Sequence, residues 1–224
     1  MIRLSLVGIG SGNLDQLTIQ AMRTLRAADV ILLPRKGAEK SALYDIRRQI
    51  LAHMSGGPVS ARLVDFDYPL RAQGGDYLGG VHAWHAALAE IWTALIATHA
   101  ADNSHVALMI WGDPSLYDST LRIAKRLAQG RDLEVRIVPG LSSLQLLSAA
   151  HGVALNEIGA AVQITTGRLL RSCGWPKGVS NVVVMLDGLA PRGRPWSHRS
   201  RGACPPHCLW LCPRPHSVSH THAS

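Results

Sequence analysis

The stretch Ile2-Arg3-Leu4-Ser5-Leu6-Val7-Gly8-Ile9-Gly10-Ser11-Gly12 decides the fold. Apolar side chains alternate along it as on a β-strand, and it runs out into glycines. Beyond them Leu14, Leu17, Ala21 and Leu25 recur at helical spacing. Strand, glycine loop, helix is the opening of a βα unit. Short apolar runs repeat the theme at Val30–Leu33, Leu63–Phe66, Val106–Ile110, Val135–Val138 and Val182–Leu186, each bounded by Pro, Gly or Asp. Between them, Tyr44 to Met54 reads as one helix. Tyr77 to Ala100 reads as a longer one, with Trp84, Leu88, Ile91 and Leu95 on its apolar face. An α/β architecture with parallel strands follows, and such sheets bind ligands beyond the carboxyl ends of their strands.

Composition narrows the function. The chain has 224 residues, 47% of them apolar, which is enough for one large or two small domains rather than a disordered segment. No apolar run approaches the roughly 18 residues that span a bilayer, and the N-terminus lacks a small-residue cleavage site. We therefore expect a cytoplasmic protein with no membrane partner. The net charge of +8 is unevenly placed. Residues 1–188 contain all 15 acids and carry about +3, whereas 189–224 hold Arg192, Arg194, Arg199, Arg201 and Arg214 with no acid. No stripe of Lys or Arg interleaves with aromatics, so a nucleic-acid partner is not expected.

Three loops follow predicted strands. In Gly8 to Gly12 the glycines free the backbone to turn sharply or approach a ligand. It is not a dinucleotide fingerprint, because Asn13 stands where the last glycine is required, and Val30–Leu33 ends in Pro34-Arg35 without a ribose-binding acid. Trp111-Gly112-Asp113-Pro114-Ser115-Leu116-Tyr117 leaves one carboxylate at a strand end; it reads equally as a ligand loop or as an Asp-Pro turn capped at Ser115 or Asp118. Val138-Pro139-Gly140-Leu141-Ser142-Ser143 again passes from strand to helix, offering backbone N–H groups and two hydroxyls.

In this order, together with Asn13-Leu14-Asp15-Gln16-Leu17-Thr18 and Ala27-Ala28-Asp29-Val30-Ile31, these motifs resemble the successive signatures of the tetrapyrrole (corrin and porphyrin) methyltransferases. The likeness covers residues 2–188. Within the family, Trp111, the segment His151 to Gly159, Ile164-Thr165-Thr166-Gly167-Arg168, Gly174-Trp175-Pro176 with Gly178, and Val182 to Gly188 look most like the member that deacetylates precorrin-5 while methylating its C-1. Other readings are a member acting at another corrin carbon, a diphthine synthase-like enzyme, or an inactive remnant.

The resemblance implies a two-domain α/β tetrapyrrole methylase fold, with S-adenosyl-L-methionine in the interdomain cleft. It implies a first domain over 1–115, a partial second over 116–188, and a homodimer. Carried over by position, Ser11, Gly112, Asp113, Leu116, Ser142, Ser143 and Asp187 would hold the cofactor. No metal is implied. The deacetylation calls for a general base, for which His53, His82, His85, His151, Tyr117 and Asp113 are open candidates. Arg35, Lys36, Arg47, Arg48 and Arg71 are candidates for the carboxylates of the substrate.

After Gly188 the likeness stops. Residues 189–224 are rich in Pro, Arg, His and Cys, and we expect them to be aberrant and disordered, with the end of the second domain missing and activity weakened. Cys204, Cys208 and Cys212 recur as C-x3-C-x3-C, which matches neither a zinc ribbon nor a cluster-binding motif, and Pro205-Pro206 precludes a helical array. A frameshift near codon 188 in a GC-rich gene accounts for this composition. Resequencing the locus is expected to reveal a second reading frame that continues the strand pattern past residue 188. An authentic frame with no such continuation contradicts the frameshift.

Overall fold

A computed structural model describes residues 1–35, 41–54, 56–57, 59–70, 77–186 and 210–213. The chain divides into two compact units, Met1–Ser142 and Ser143–Ser224.

In the first unit β1 (Ile2–Gly8), α1 (Ile19–Arg26), β2 (Val30–Arg35), α2 (Ser41–His53), β3 (Arg62–Asp67), α3 (Tyr77–His99), β4 (His105–Ile110), α4 (Thr120–Ala128) and β5 (Leu133–Val138) alternate along the chain. The five strands form one parallel sheet in the order β3-β2-β4-β1-β5. Both faces are covered, so the inner strands read as continuous apolar runs whose side chains split by parity. Leu4, Leu6, Val30, Leu32, Val106, Leu108 and Ile110 face a core completed by Leu88 and Trp92 of α3 and Ile123 and Leu127 of α4. Val7, Ile31, Leu33, Ala107 and Met109 face the opposite core, with Ala21 and Leu25 of α1 and Ile50 and Leu51 of α2. Trp92 joins the buried face of α3 one turn beyond Leu88; Trp84, Ile91 and Leu95 are only partly buried beside it.

The domain boundary expected at residue 115 falls instead after Ser142. The reason is topological: β5 pairs with β1 from Ile2↔Leu133 to Val7↔Val138, which draws α4 and β5 into the first sheet.

In the second unit α5 (Ser143–His151), β6 (Val162–Thr166), α6 (Gly167–Cys173), β7 (Asn181–Met185) and β8 (Trp210–Pro213) follow. β6 and β7 are parallel, and β8 runs antiparallel to β7 from Asn181↔Pro213 to Val184↔Trp210. Thus four residues within the segment set apart by its composition pair with the sheet. The rest of 189–224, including Cys204 and Cys208, lies outside the described residues. Among the described residues no helix is long and apolar enough to cross a membrane.

Beneath the first sheet, His105 is buried. Its Nδ1 lies 3.1 Å from the Ala27 carbonyl and its Nε2 2.8 Å from Ser5 Oγ. A carbonyl only accepts, so Nδ1 carries the proton and Nε2 accepts from Ser5. Burial, aided by the charges of Arg3 and Arg136, lowers the His105 pKa below 6.5, outweighing the opposing effects of Ala27 and Asp29. A depressed imidazole pKa favours the fold above 6.5, and that contribution is lost as pH falls from 6.5 through the folded value. Urea unfolding at pH 8 and pH 5 is expected to show a larger loss of stability for the wild type than for His105→Asn; equal losses contradict this.

Candidate functional site

β1 lies between β4 and β5, so the loops that leave these three strands emerge side by side at their carboxyl ends. They meet backbone to backbone. A Cβ on Gly8 would stand 2.6 Å from the Gly140 nitrogen and 2.8 Å from the Gly112 oxygen. One on Gly140 would stand 2.3 Å from the Gly112 oxygen and 2.7 Å from the Gly8 carbonyl carbon. No side chain fits at either position. The contact is tied by Ile9 N–H to the Ile110 carbonyl at 2.8 Å and Gly112 N–H to the Gly10 carbonyl at 2.8 Å. Gly10 and Gly112 both adopt left-handed backbone, at φ 65° and 63°.

Asp113 locks the arrangement. Its Oδ1 accepts from the Ser115 N–H at 2.8 Å and from the Ser115 hydroxyl, and its Oδ2 accepts from the Gly140 N–H at 3.0 Å, joining the loop after β4 to the loop after β5. Burial alone would raise its pKa, but the hydrogen bonds from Ser115 and Gly140 outweigh it and hold the carboxyl below the usual range. The carboxylate is thus hydrogen-bonded within the loops.

The other predicted residues divide. Gly112 presents an open backbone: a Cβ there would meet only Ser142 Cα at 3.8 Å and the Leu141 oxygen at 4.0 Å. Leu116 is half-buried, Ser142 is buried, and both belong to the first unit with Gly112. Leu116 also borders a cavity of about 350 Å³ with Tyr117, Asp118, Ser119 and Arg122. Tyr117 is held at φ 50° with its ring exposed, a conformation costly for an aromatic residue and frequent at ligand sites. Ser11 is exposed and donates to Gln16 Oε1 at 2.5 Å. Ser143 opens α5 in the second unit, and Asp187 lies outside the described residues.

Of the base candidates, His53 is exposed with Nδ1 at 2.9 Å from the Gln49 carbonyl, His85 is buried, and His82 and His151 are exposed. Of the basic candidates, Arg35 is paired with Asp67 through Nε at 3.2 Å and Nη2 at 2.9 Å, and Arg48 reaches the Tyr44 hydroxyl at 3.5 Å. Among the described ones, Arg47 alone is buried. Lys36 and Arg71 lie outside the described residues.

Sequence reasoning missed the close approach of Gly8 and Gly140, since neither has the positive φ that marks a turn glycine. It also missed Trp111 as the anchor of the glycine loop. A Cβ on Gly12 would stand 2.8 Å from the Trp111 ring and 2.7 Å from Ile46 of α2.

A parallel sheet with three glycine-built loops at its carboxyl edge defines an α/β protein of the kind that binds ligands beyond its strand ends. The family described as Tetrapyrrole (Corrin/Porphyrin) Methylases matches residues 3–192, and the chain belongs to it. The chain is 41% identical over 191 residues to a precorrin-6A synthase [deacetylating] of Sinorhizobium sp, covering 84% of this chain and 72% of that protein. It resembles the crystal structure of a cobalamin synthesis related protein, CobF, of Corynebacterium diphtheriae, with TM-score 0.66 and 37% identity over 84% of this chain and 73% of that one. Uroporphyrin-III-C-methyltransferase of Thermus thermophilus, at TM-score 0.50 and 20% identity over 82% of this chain and 68% of that one, shares the fold.

Gly140→Ala is expected to destabilise the protein by about 3 kcal/mol, because backbone must shift to admit the methyl group. In α3, Gly80 has nothing within 4 Å of its would-be Cβ. Gly80→Ala is expected to stabilise by about 0.5–1 kcal/mol. Denaturant melts of both variants check this pair, and similar effects at the two sites contradict it.

Proposed function

We propose that the protein is an S-adenosyl-L-methionine-dependent methyltransferase of cobalamin biosynthesis that methylates C-1 of precorrin-5 with loss of acetate. The observation that carries this reading is the 41% identity over 191 residues, 84% of this chain, to the Sinorhizobium enzyme. The residues present fit the cofactor. The open backbone face of Gly112, the half-buried Leu116 and the buried Ser142 offer a mixed surface suited to an adenosyl group. Ser11, Asp113, Ser143 and Asp187 belong to the same proposal through the family motif. Cytoplasmic action and a homodimeric assembly are supported by that resemblance alone.

When bound, the cofactor supplies a sulfonium methyl group open to in-line displacement. The chain needs no nucleophile of its own; its work is to hold methyl and carbon in line at about 3 Å and to exclude water from the sulfonium. Backbone packing at Gly8, Gly112 and Gly140 suits that task, since it leaves the loops little freedom. Asp113 contributes by tying the loops. In the deacetylation, water adds to the acetyl carbonyl, the bond to C-1 breaks, acetate leaves, and the electron pair left at C-1 takes the methyl group.

Incubation with precorrin-5 and methyl-labelled S-adenosylmethionine is expected to release one acetate for each methyl group incorporated. Methylation without acetate would overturn the deacetylating assignment. Failure to bind S-adenosylhomocysteine at millimolar concentration in calorimetry would identify a remnant.

A further inference from the structure

Arg47 lies midway along α2 with 7% of its surface exposed. Its Nε donates to the Met109 carbonyl at 3.3 Å and its Nη1 to the Leu43 carbonyl at 3.2 Å. The guanidinium carbon sits 5.0 Å from the centroid of the Trp111 ring, within cation–π range. Nη2 has no hydrogen-bond partner among the described residues, and no described carboxylate lies within ion-pair distance. Asp118 acts on Arg47 only through space, and its Oδ1 is occupied by the N–H and hydroxyl of Thr120. The Tyr68 hydroxyl is no counter-ion, because burial pushes its pKa up to about 12. Trp111 Nε1, on the ring beneath the guanidinium, is itself buried without an acceptor.

Among the described residues, one stacked pair therefore presents a buried cation with no carboxylate in ion-pair distance and an indole N–H with no acceptor. Either deficit is costly inside a protein. A planar anion meets the deficit at Arg47, because a guanidinium fork matches a carboxylate. We propose that Arg47, on its Trp111 platform, receives a carboxylate of the substrate. The inference rests on the reading of the chain as a methyltransferase of polyanionic tetrapyrroles, and it names the residue that reads their charge. The position suits the role: Arg47 is fastened to Met109 at the end of β4, and Trp111 directly precedes Gly112. A carboxylate held there is anchored beside the loop that carries Gly112 and Leu116.

The test uses the full chain saturated with S-adenosylhomocysteine and titrated with cobyrinic acid, a corrin with free peripheral carboxylates, or with the same corrin converted to its amide. The wild type is expected to prefer the carboxylate form at least about tenfold, as for a charge-assisted hydrogen-bonded pair. Arg47→Met should remove the preference while leaving the amide corrin and S-adenosylhomocysteine bound within about twofold, and Arg47→Lys should keep part of it. Added sulfate should weaken the carboxylate corrin for the wild type and not for Arg47→Met. If Arg47→Met does not fold, Trp111→Phe, which removes only the indole N–H donor and part of the ring, should reduce the preference about threefold. Equal weakening of both corrins, or a lowered melting temperature with the preference intact, would show that Arg47 only braces Trp111 and would overturn the proposal. Wild-type protein that binds S-adenosylhomocysteine but neither corrin also overturns it. Wild-type protein that binds none of the three refutes instead the methyltransferase reading beneath it.

Discussion

Three strands end in glycines that leave no space for a side chain, and the first unit is organised around that contact. β1 can deliver Gly8 between Gly112 and Gly140 only because it lies between β4 and β5 in the sheet. The separations of 2.3 to 2.8 Å from a would-be Cβ make this a backbone interface, closed by reciprocal hydrogen bonds between Gly10 and Gly112. Packing of this kind limits motion more than side-chain packing does, because no rotamer can relax it. A reaction that depends on holding two atoms in line gains from such rigidity.

Two charged groups near these loops illustrate opposite solutions to burial. Asp113 is satisfied from within: Ser115 and Gly140 supply its hydrogen bonds, and its charge serves the loops themselves. Arg47 is met, among the described residues, by two carbonyls and an aromatic face and by no carboxylate in ion-pair distance. The net +8 of the whole chain carries little of this information. The proposed recognition of a polyanionic substrate turns on the placement of one guanidinium, not on the total, five of whose cations stand beyond residue 188 in the sequence.

The first sheet was legible because its inner strands are buried on both faces and read as apolar runs, with shorter, charge-interrupted runs at the edge strands β3 and β5. Val30–Leu33, Leu63–Phe66 and Val106–Ile110 lie within β2, β3 and β4. The second unit was less so. Val162–Thr166 alternates Val162 and Ile164 with Gln163 and Thr165, but Ile164 is exposed and Thr165 buried, so the alternation points to the wrong face. β8 is four residues long in a proline-rich surrounding, and only its pairing with β7 distinguishes it. The domain boundary was misplaced because periodicity describes each strand and says nothing of which strand it pairs with; β5 belongs with β1, over a hundred residues earlier in the chain. At the site, the loops were legible as glycine-bearing strand ends. That Asp113 turns inward was not, since a carboxylate in a Gly-Asp-Pro turn reads the same whichever way it faces. Arg47 was one basic residue among five candidates until burial separated it.

Residue-resolved amide hydrogen exchange, with and without S-adenosylhomocysteine, tests most directly the claim that these loops are a preformed cofactor surface. The structure predicts that the amides of Gly112, Ser115 and Gly140, bonded to Gly10 and Asp113, are already protected in the free protein. It further predicts that the ligand slows exchange at 112–116 and 140–142 while leaving β3 unchanged. Rapid exchange of those three amides in the free protein, or protection by the ligand confined to other segments, would contradict it.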